Sequence, residues 1–154
     1  MKKIIILSLI IIIGSCNNYQ YNSINETPKI EYYTSELTKE VDFPFSDAAI
    51  VNNIIYVSGQ VGNIPGETKV VDGGIREETK QTIKNIENIL IALGSSLDNV
   101  FKCTCMLSDI SEWAEMSDEY KKYFNNEKRP SRSAFAGSGL ALGAKVEIEC
   151  WATK

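Results

Sequence analysis

The sequence predicts an α+β domain in which two helices pack on one face of a mixed β-sheet. Three observations carry this. Apolar residues recur at three-and-four spacing over residues 75–93 and again over residues 113–124. Short β-rich runs flank both stretches, and a polar segment at residues 17–28 separates the whole pattern from an apolar N-terminus. The chain of 154 residues is 44% hydrophobic and 23% charged and has no fixed-period repeat, so one ordinary core is expected and a solenoid is excluded.

Composition also bounds the chemistry. Histidine is absent, which removes a Ser/His/Asp relay, a His-ligated zinc and an imidazole general base. Catalysis must use carboxylates, Tyr, Lys, Cys, Arg or backbone groups, and no metal is expected. A formal charge of −4 with no Lys/Arg cluster argues against nucleic acid as a partner, because neutralising phosphates needs a basic face.

At the N-terminus, Lys2 and Lys3 precede an apolar run at residues 4–13, interrupted only by Ser8. The run is about half the roughly 20 residues that a membrane-spanning helix needs, and it has the size of a signal-peptide apolar region. Ile13-Gly14-Ser15-Cys16 follows and resembles the lipobox of bacterial lipoproteins. That resemblance implies cleavage after residue 15, a lipid on Cys16 and attachment to a bilayer, hence an exported, membrane-anchored protein at the periplasmic face or cell surface. An ordinary secretory signal that ends near a cysteine is the plainer alternative. The expected organisation is a signal peptide at 1–15, a lipidated Cys16 with a flexible tether at 16–28, and one domain at 29–154.

Along the domain, residues 48–59 form two β-rich runs joined by Asn52-Asn53, which predicts a hairpin because Asn tolerates the positive φ of a tight turn. Gly62, Pro65 and Gly66 mark a loop. The first helix follows Asp72-Gly73-Gly74, carries Ile75, Thr79, Ile83, Ile86, Leu90 and Leu93 on one face, and stops at Gly94. Residues 100–107 read as a strand presenting Cys103 and Cys105 to one face. A second helix from Ser111 carries Trp113, Met116, Tyr120, Tyr123 and Phe124, with Pro130 marking its end. Residues 131–136 and 145–152 are the last strands, the latter with Val146, Ile148 and Cys150 inward and Glu147, Glu149 and Trp151 outward. With Cys16 lipidated, Cys103, Cys105 and Cys150 remain. Buried free thiols are expected, with Cys150 the conceivable partner if one of the others is bridged.

The candidate chemistry sits near the C-terminus. Arg132 lies in a strand among small residues, which leaves room around a guanidinium able to hold a carboxylate by two parallel hydrogen bonds. The bland alternative is a surface Arg132 paired with Glu147 or another acid.

Several blocks, in order, resemble the reactive intermediate deaminase A family, also called the YjgF/UK114 family. They are Phe43-Pro44-Phe45-Ser46-Asp47-Ala48, Tyr56-Val57-Ser58-Gly59-Gln60, Gly94-Ser95-Ser96-Leu97-Asp98-Asn99-Val100-Phe101-Lys102, Tyr120-Lys121-Lys122-Tyr123-Phe124, Arg129-Pro130-Ser131-Arg132-Ser133 and Val146-Glu147-Ile148-Glu149. They run from about residue 30 to the C-terminus. The resemblance implies a chorismate-mutase-like α+β fold and a homotrimer whose sheets form a central barrel with a pocket in each cleft between subunits. It implies hydrolysis of 2-enamine and 2-imine acids to 2-keto acids and ammonia, without a cofactor. By the same resemblance Arg132 clamps the substrate carboxylate, Glu147 positions the attacking water and exchanges a proton with it, and Phe45, Ser58 and Gly59 line the substrate pocket.

The chain departs from the family pattern at five places. Phe45 stands where most members have Tyr, Asp47 where they have Gln, Ala134 where Cys is frequent and Ser117 where Asn is usual. The loop at residues 139–143 lacks the usual Pro. The expected ligands are small 2-imino or 2-keto carboxylates with shifted preference. Two other functions stay open: a non-catalytic surface lipoprotein binding such acids in the same clefts, and, more weakly, a ribonuclease activity suggested by some relatives.

Overall fold

The computed structural model describes residues 27–154. The predicted signal peptide and Cys16 lie outside the described residues, as does the tether apart from residues 27 and 28.

The elements in chain order are β1 (Ile30–Tyr33), α1 (Glu36–Val41), β2 (Ala48–Val51), β3 (Ile54–Val61), α2 (Gly74–Ala92), β4 (Val100–Leu107), α3 (Trp113–Tyr120), β5 (Ser131–Ala136) and β6 (Val146–Thr153). The six strands form one sheet in the order β1-β2-β3-β6-β4-β5. All neighbours are antiparallel except β4 and β5, which run parallel because the connection through α3 returns the chain to the same end of the sheet. This is the predicted α+β class, with α2 lying on β3 and β6 and α3 packed beside α2.

Local chemistry explains most boundaries. Asn52 turns the β2–β3 hairpin at φ 55, and Gly94 ends α2 at φ 77, as the pattern predicts. Alternation in β6 sends Val146, Ile148, Cys150 and Ala152 into the core, where they meet Cys103, Cys105 and Leu107 of β4 and Ile55 and Val57 of β3. Thr79, Ile83, Ile86 and Leu90 cover them from α2. Truncating a fully buried Ile such as Ile83 to Ala costs about 2–5 kcal/mol, because lost transfer energy and an unfilled cavity add. Among the described residues Cys103, Cys105 and Cys150 are buried free thiols; Cys103 and Cys150 are in direct register, with sulfurs 2.6 Å apart.

The structure departs from the expectations in two places. The second helix is broken up: a 3-10 turn at Ile110–Glu112 leads into α3, and a second at Lys121–Tyr123 follows it, so the chain is irregular well before Pro130. Strand β1 and helix α1 have no counterpart in the periodicity, since each is too short to show one.

Opposite the helices the sheet carries an uncovered aromatic cluster. Trp151 meets Tyr56 edge-on at 5.0 Å and Phe101 at 6.4 Å. A domain of this size covers one face of its sheet with its own helices and leaves the other to solvent or a partner.

Candidate active site

Strand geometry decides where the two charged candidates go. Glu147 lies between Val146 and Ile148, both in the core, so its side chain projects from the face opposite the helices. Arg132 on β5 is in register with the fully buried Cys103, so it projects from the helix face. There its guanidinium carbon sits 4.9 Å from the Tyr120 ring centre and 5.5 Å from that of Trp113, and its Nη2 donates to Ser117 Oγ at 2.9 Å. The pairing of Arg132 with Glu147 is thereby excluded within one protomer: they lie on opposite faces with β4 between them. No carboxylate among the described residues pairs with Arg132. Its charge is held by aromatic faces and one hydroxyl, which leaves donors free for an anion.

Glu147 borders an open cavity of about 730 Å³ lined by α1, the segment before β2, β3 and the loop after it, residues 85–89 of α2 and the loop before β6. Phe45, Ser58, Gly59 and Glu147 are together there, joined by Asp47 and Glu149. Gly59 is where this wall has no room for a side chain: a β-carbon would stand 2.9 Å from Glu147 Cδ and 3.1 Å from its Cγ, and closer still to Oε1. Burial first, and the Glu149 charge on the same face second, hold the Glu147 carboxyl above its ordinary value. A half-buried carboxylate free of hydrogen bonds from the described residues suits accepting a proton from water.

Ser58 is committed elsewhere. Its hydroxyl donates to Ser46 O at 2.7 Å and its N–H to Asp47 O at 2.9 Å, which fastens the Phe45–Asp47 segment to β3. No Lys or Arg among the described residues lines the cavity; the charged groups that do are Asp47, Glu67, Glu149 and Glu147. Thus four of the five predicted pocket residues come together and Arg132 does not. A separate cavity of about 520 Å³ beside Lys29, Asn52 and Lys154 holds none of them. Among the described residues no three His, Cys, Asp or Glu side chains are grouped to hold a metal.

Sequence reading missed the role of Asp47. This carboxylate is buried, accepts from Ser35 N–H at 2.7 Å and from Thr38 Oγ1 at 2.8 Å, and so ties α1 to the cavity wall. The Ser35-Glu36-Leu37-Thr38 stretch was the available signal, because a Ser N-cap that accepts from a residue three later opens a helix, as Ser35 does from Thr38 N–H at 3.2 Å.

The chain is similar to known proteins over this whole region. Residues 38–154 match the family model described as Endoribonuclease L-PSP. The chain is 41% identical over 111 residues to the 2-iminobutanoate/2-iminopropanoate deaminase of Bos taurus, covering 72% of this chain and 80% of that one. It is 37% identical over 125 residues to the chloroplastic Reactive Intermediate Deaminase A of Arabidopsis thaliana, covering 81% and 66%. Among solved structures, the crystal structure of yeast YEO7 superposes with a TM-score of 0.75 at 37% identity, covering 82% of this chain and 99% of that one. A family model spanning β2 to β6 with α2 and α3, together with relatives at this identity, means that the chain belongs to the Endoribonuclease L-PSP family, the group also known as YjgF or reactive intermediate deaminase A.

Proposed function

We propose that this protein is a hydrolytic deaminase of 2-imino acids whose site is completed between subunits. The observation that carries the reading is the division of charge: one protomer's cavity holds carboxylates and no cation, while its unpaired Arg132 faces the other way. A carboxylate substrate is repelled by such a cavity alone. Arg132 of a neighbouring subunit supplies the missing cation, and the aromatic face around Trp151 is the surface a trimer covers. Relatives named as 2-iminobutanoate/2-iminopropanoate deaminases support the reaction class.

The chemistry needs little from the protein. Arg132 holds the substrate carboxylate by two hydrogen bonds, and Glu147 orients a water against the electrophilic imine carbon and takes one of its protons. The new C–O bond gives a carbinolamine. Glu147 passes that proton to the nitrogen, then takes the carbinolamine hydroxyl proton as the C=O bond forms and hands it to the nitrogen as the C–N bond breaks, so both protons of the water leave on ammonia with the 2-keto acid. Protons balance over the cycle, and no cofactor, metal or covalent nucleophile enters. The acid-lined cavity disfavours the ribonuclease reading suggested by the family description, since a polyphosphate would meet four carboxylates.

The test is subunit complementation. Arg132→Ala and Glu147→Gln proteins should each be inactive toward imines generated by an amino-acid oxidase. Unfolding and refolding an equimolar mixture should restore about a quarter of wild-type activity, the share of clefts receiving both intact residues in a randomly assorted trimer. A mixture as inactive as its parents would end the shared-site reading. Retained binding of 2-keto acids by a wild type that releases no ammonia would favour the binding module instead.

The N-terminal motif extends the proposal to location: Cys16 carries lipid and holds the domain at a membrane through residues 17–28. Cys16→Ala should move the protein from the detergent phase to the aqueous phase, and a wild type already aqueous would refute the anchor.

A further inference from the structure

Part of the lining of the cavity that Glu147 borders is apolar. Leu37 and Val41 of α1, Phe43, Phe45 and Leu142 line it. Phe43 and Phe45 stack on each other with ring centres 5.3 Å apart and planes 8° apart, so each ring steadies the other at the cavity. Leu37, Phe45 and Leu142 are left 44%, 49% and 41% exposed around a concavity, not scattered over the surface.

Two further features show that the wall is built. Leu142 sits at φ 57, ψ 16, a left-handed conformation that costs a non-Gly residue stability, and it lies five residues before Glu147 on the loop feeding β6. Helix α1 buries none of its own side chains. It is held by hydrogen bonds to Asp47, itself 5% exposed, so the latch fixes Leu37 and Val41 at the cavity without packing them into the core.

Resting on the deaminase reading of the same site, we propose that this wall is a subsite for a large apolar substrate side chain. The chain is then selective for 2-imino acids bearing branched aliphatic or aromatic groups. The apolar residues of this cleft of about 730 Å³ in one protomer offer contact that the single methyl of 2-iminopropanoate does not use, and each buried methylene strengthens binding. Asp47 acts as a positioning residue for specificity, and Leu142 touches the side chain.

The experiment measures two things on the full-length protein: ammonia release from imines generated from leucine, phenylalanine and alanine, and the Kd of the unreactive acids 4-methyl-2-oxopentanoate, phenylpyruvate and pyruvate by calorimetry. The larger acids should bind at least about tenfold more tightly than pyruvate, and kcat/KM should follow the same order. Leu142→Asn suits its left-handed backbone and so folds, and it should remove most of this preference while changing pyruvate affinity less than about threefold. Equal Kd values for large and small acids, or a Leu142→Asn loss shared by both, would overturn the subsite and leave the deaminase reading standing. A Kd preference without ammonia release from any imine would keep the subsite and remove the deaminase reading.

Discussion

Gly59→Ala tests whether the position of one carboxylate controls turnover. The added methyl would meet the end of the Glu147 side chain, 2.9 Å from Cδ and 3.1 Å from Cγ. Ordinary carbon contacts of about 3.5–4.0 Å require the carboxylate to retreat by about 1 Å. The obstructing atoms are the far end of a flexible side chain at a half-buried position, so the fold should absorb the change. A displacement of that size at a reacting centre lowers rate by about a hundredfold, roughly 2.7 kcal/mol of transition-state stabilisation. Gly62→Ala is the contrasting control: its methyl would stand 2.7 Å from the Glu78 α-carbon and 2.8 Å from its carbonyl oxygen, backbone that cannot swing aside, so it should lower the melting temperature markedly. The assay couples an amino-acid oxidase to ammonia detection, with thermal denaturation followed in parallel. Gly59→Ala turning over within about threefold of wild type, with Glu147→Gln inactive, would refute the argument that a one-ångström placement governs the step.

Arg132→Lys keeps the charge but loses the two-pronged grip, so 2-keto acid affinity and kcat/KM should each fall at least about tenfold, checked by calorimetry and steady-state kinetics. The acid limb of the kcat profile should lie above 4.5, because burial and Glu149 raise the Glu147 carboxyl and only its ionised form accepts a proton; Glu149→Gln should move that limb toward lower pH. The same shift has the opposite sign for stability. The folded pKa exceeds the unfolded one, so stability falls as pH rises through that interval, and Glu147→Gln should melt at a higher temperature than wild type at pH 7. In a Cys16→Ser background the three remaining thiols should resist dithionitrobenzoate until the protein unfolds, since all are fully buried and burial pushes Cys105 up to about 12.

Much of the fold was legible because its signals are local. The turn at Asn52, the stop at Gly94 and the inward set Val146, Ile148 and Cys150 each follow from a preference acting within a few residues, and the structure keeps all three. Helix α1 was not legible, because six residues with no buried side chain leave no periodicity; it exists by virtue of the Ser35 cap and a carboxylate twelve residues away. The break-up of the second helix was hidden for a related reason: apolar spacing marks Met116, Tyr120 and Phe124 as buried whatever the backbone geometry between them, and it does so without Trp113, which is exposed.

The residue types of the candidate site are written in the chain. A histidine-free sequence with Arg132 among small neighbours, Glu147 on an alternating strand and Gly59 beside Ser58 restricts the chemistry to a carboxylate and a guanidinium. Their arrangement in space is not written there. A strand's alternation specifies two faces, but strand order and register decide whether residues on different strands share one. Only the sheet order β3-β6-β4-β5, with Arg132 level with Cys103, puts the cation on the helix side and the acid on the other. Pairing across a sheet depends on contacts distant in sequence, so it was the tertiary structure that put the two residues on opposite faces of one protomer and removed the alternative in which they pair within it.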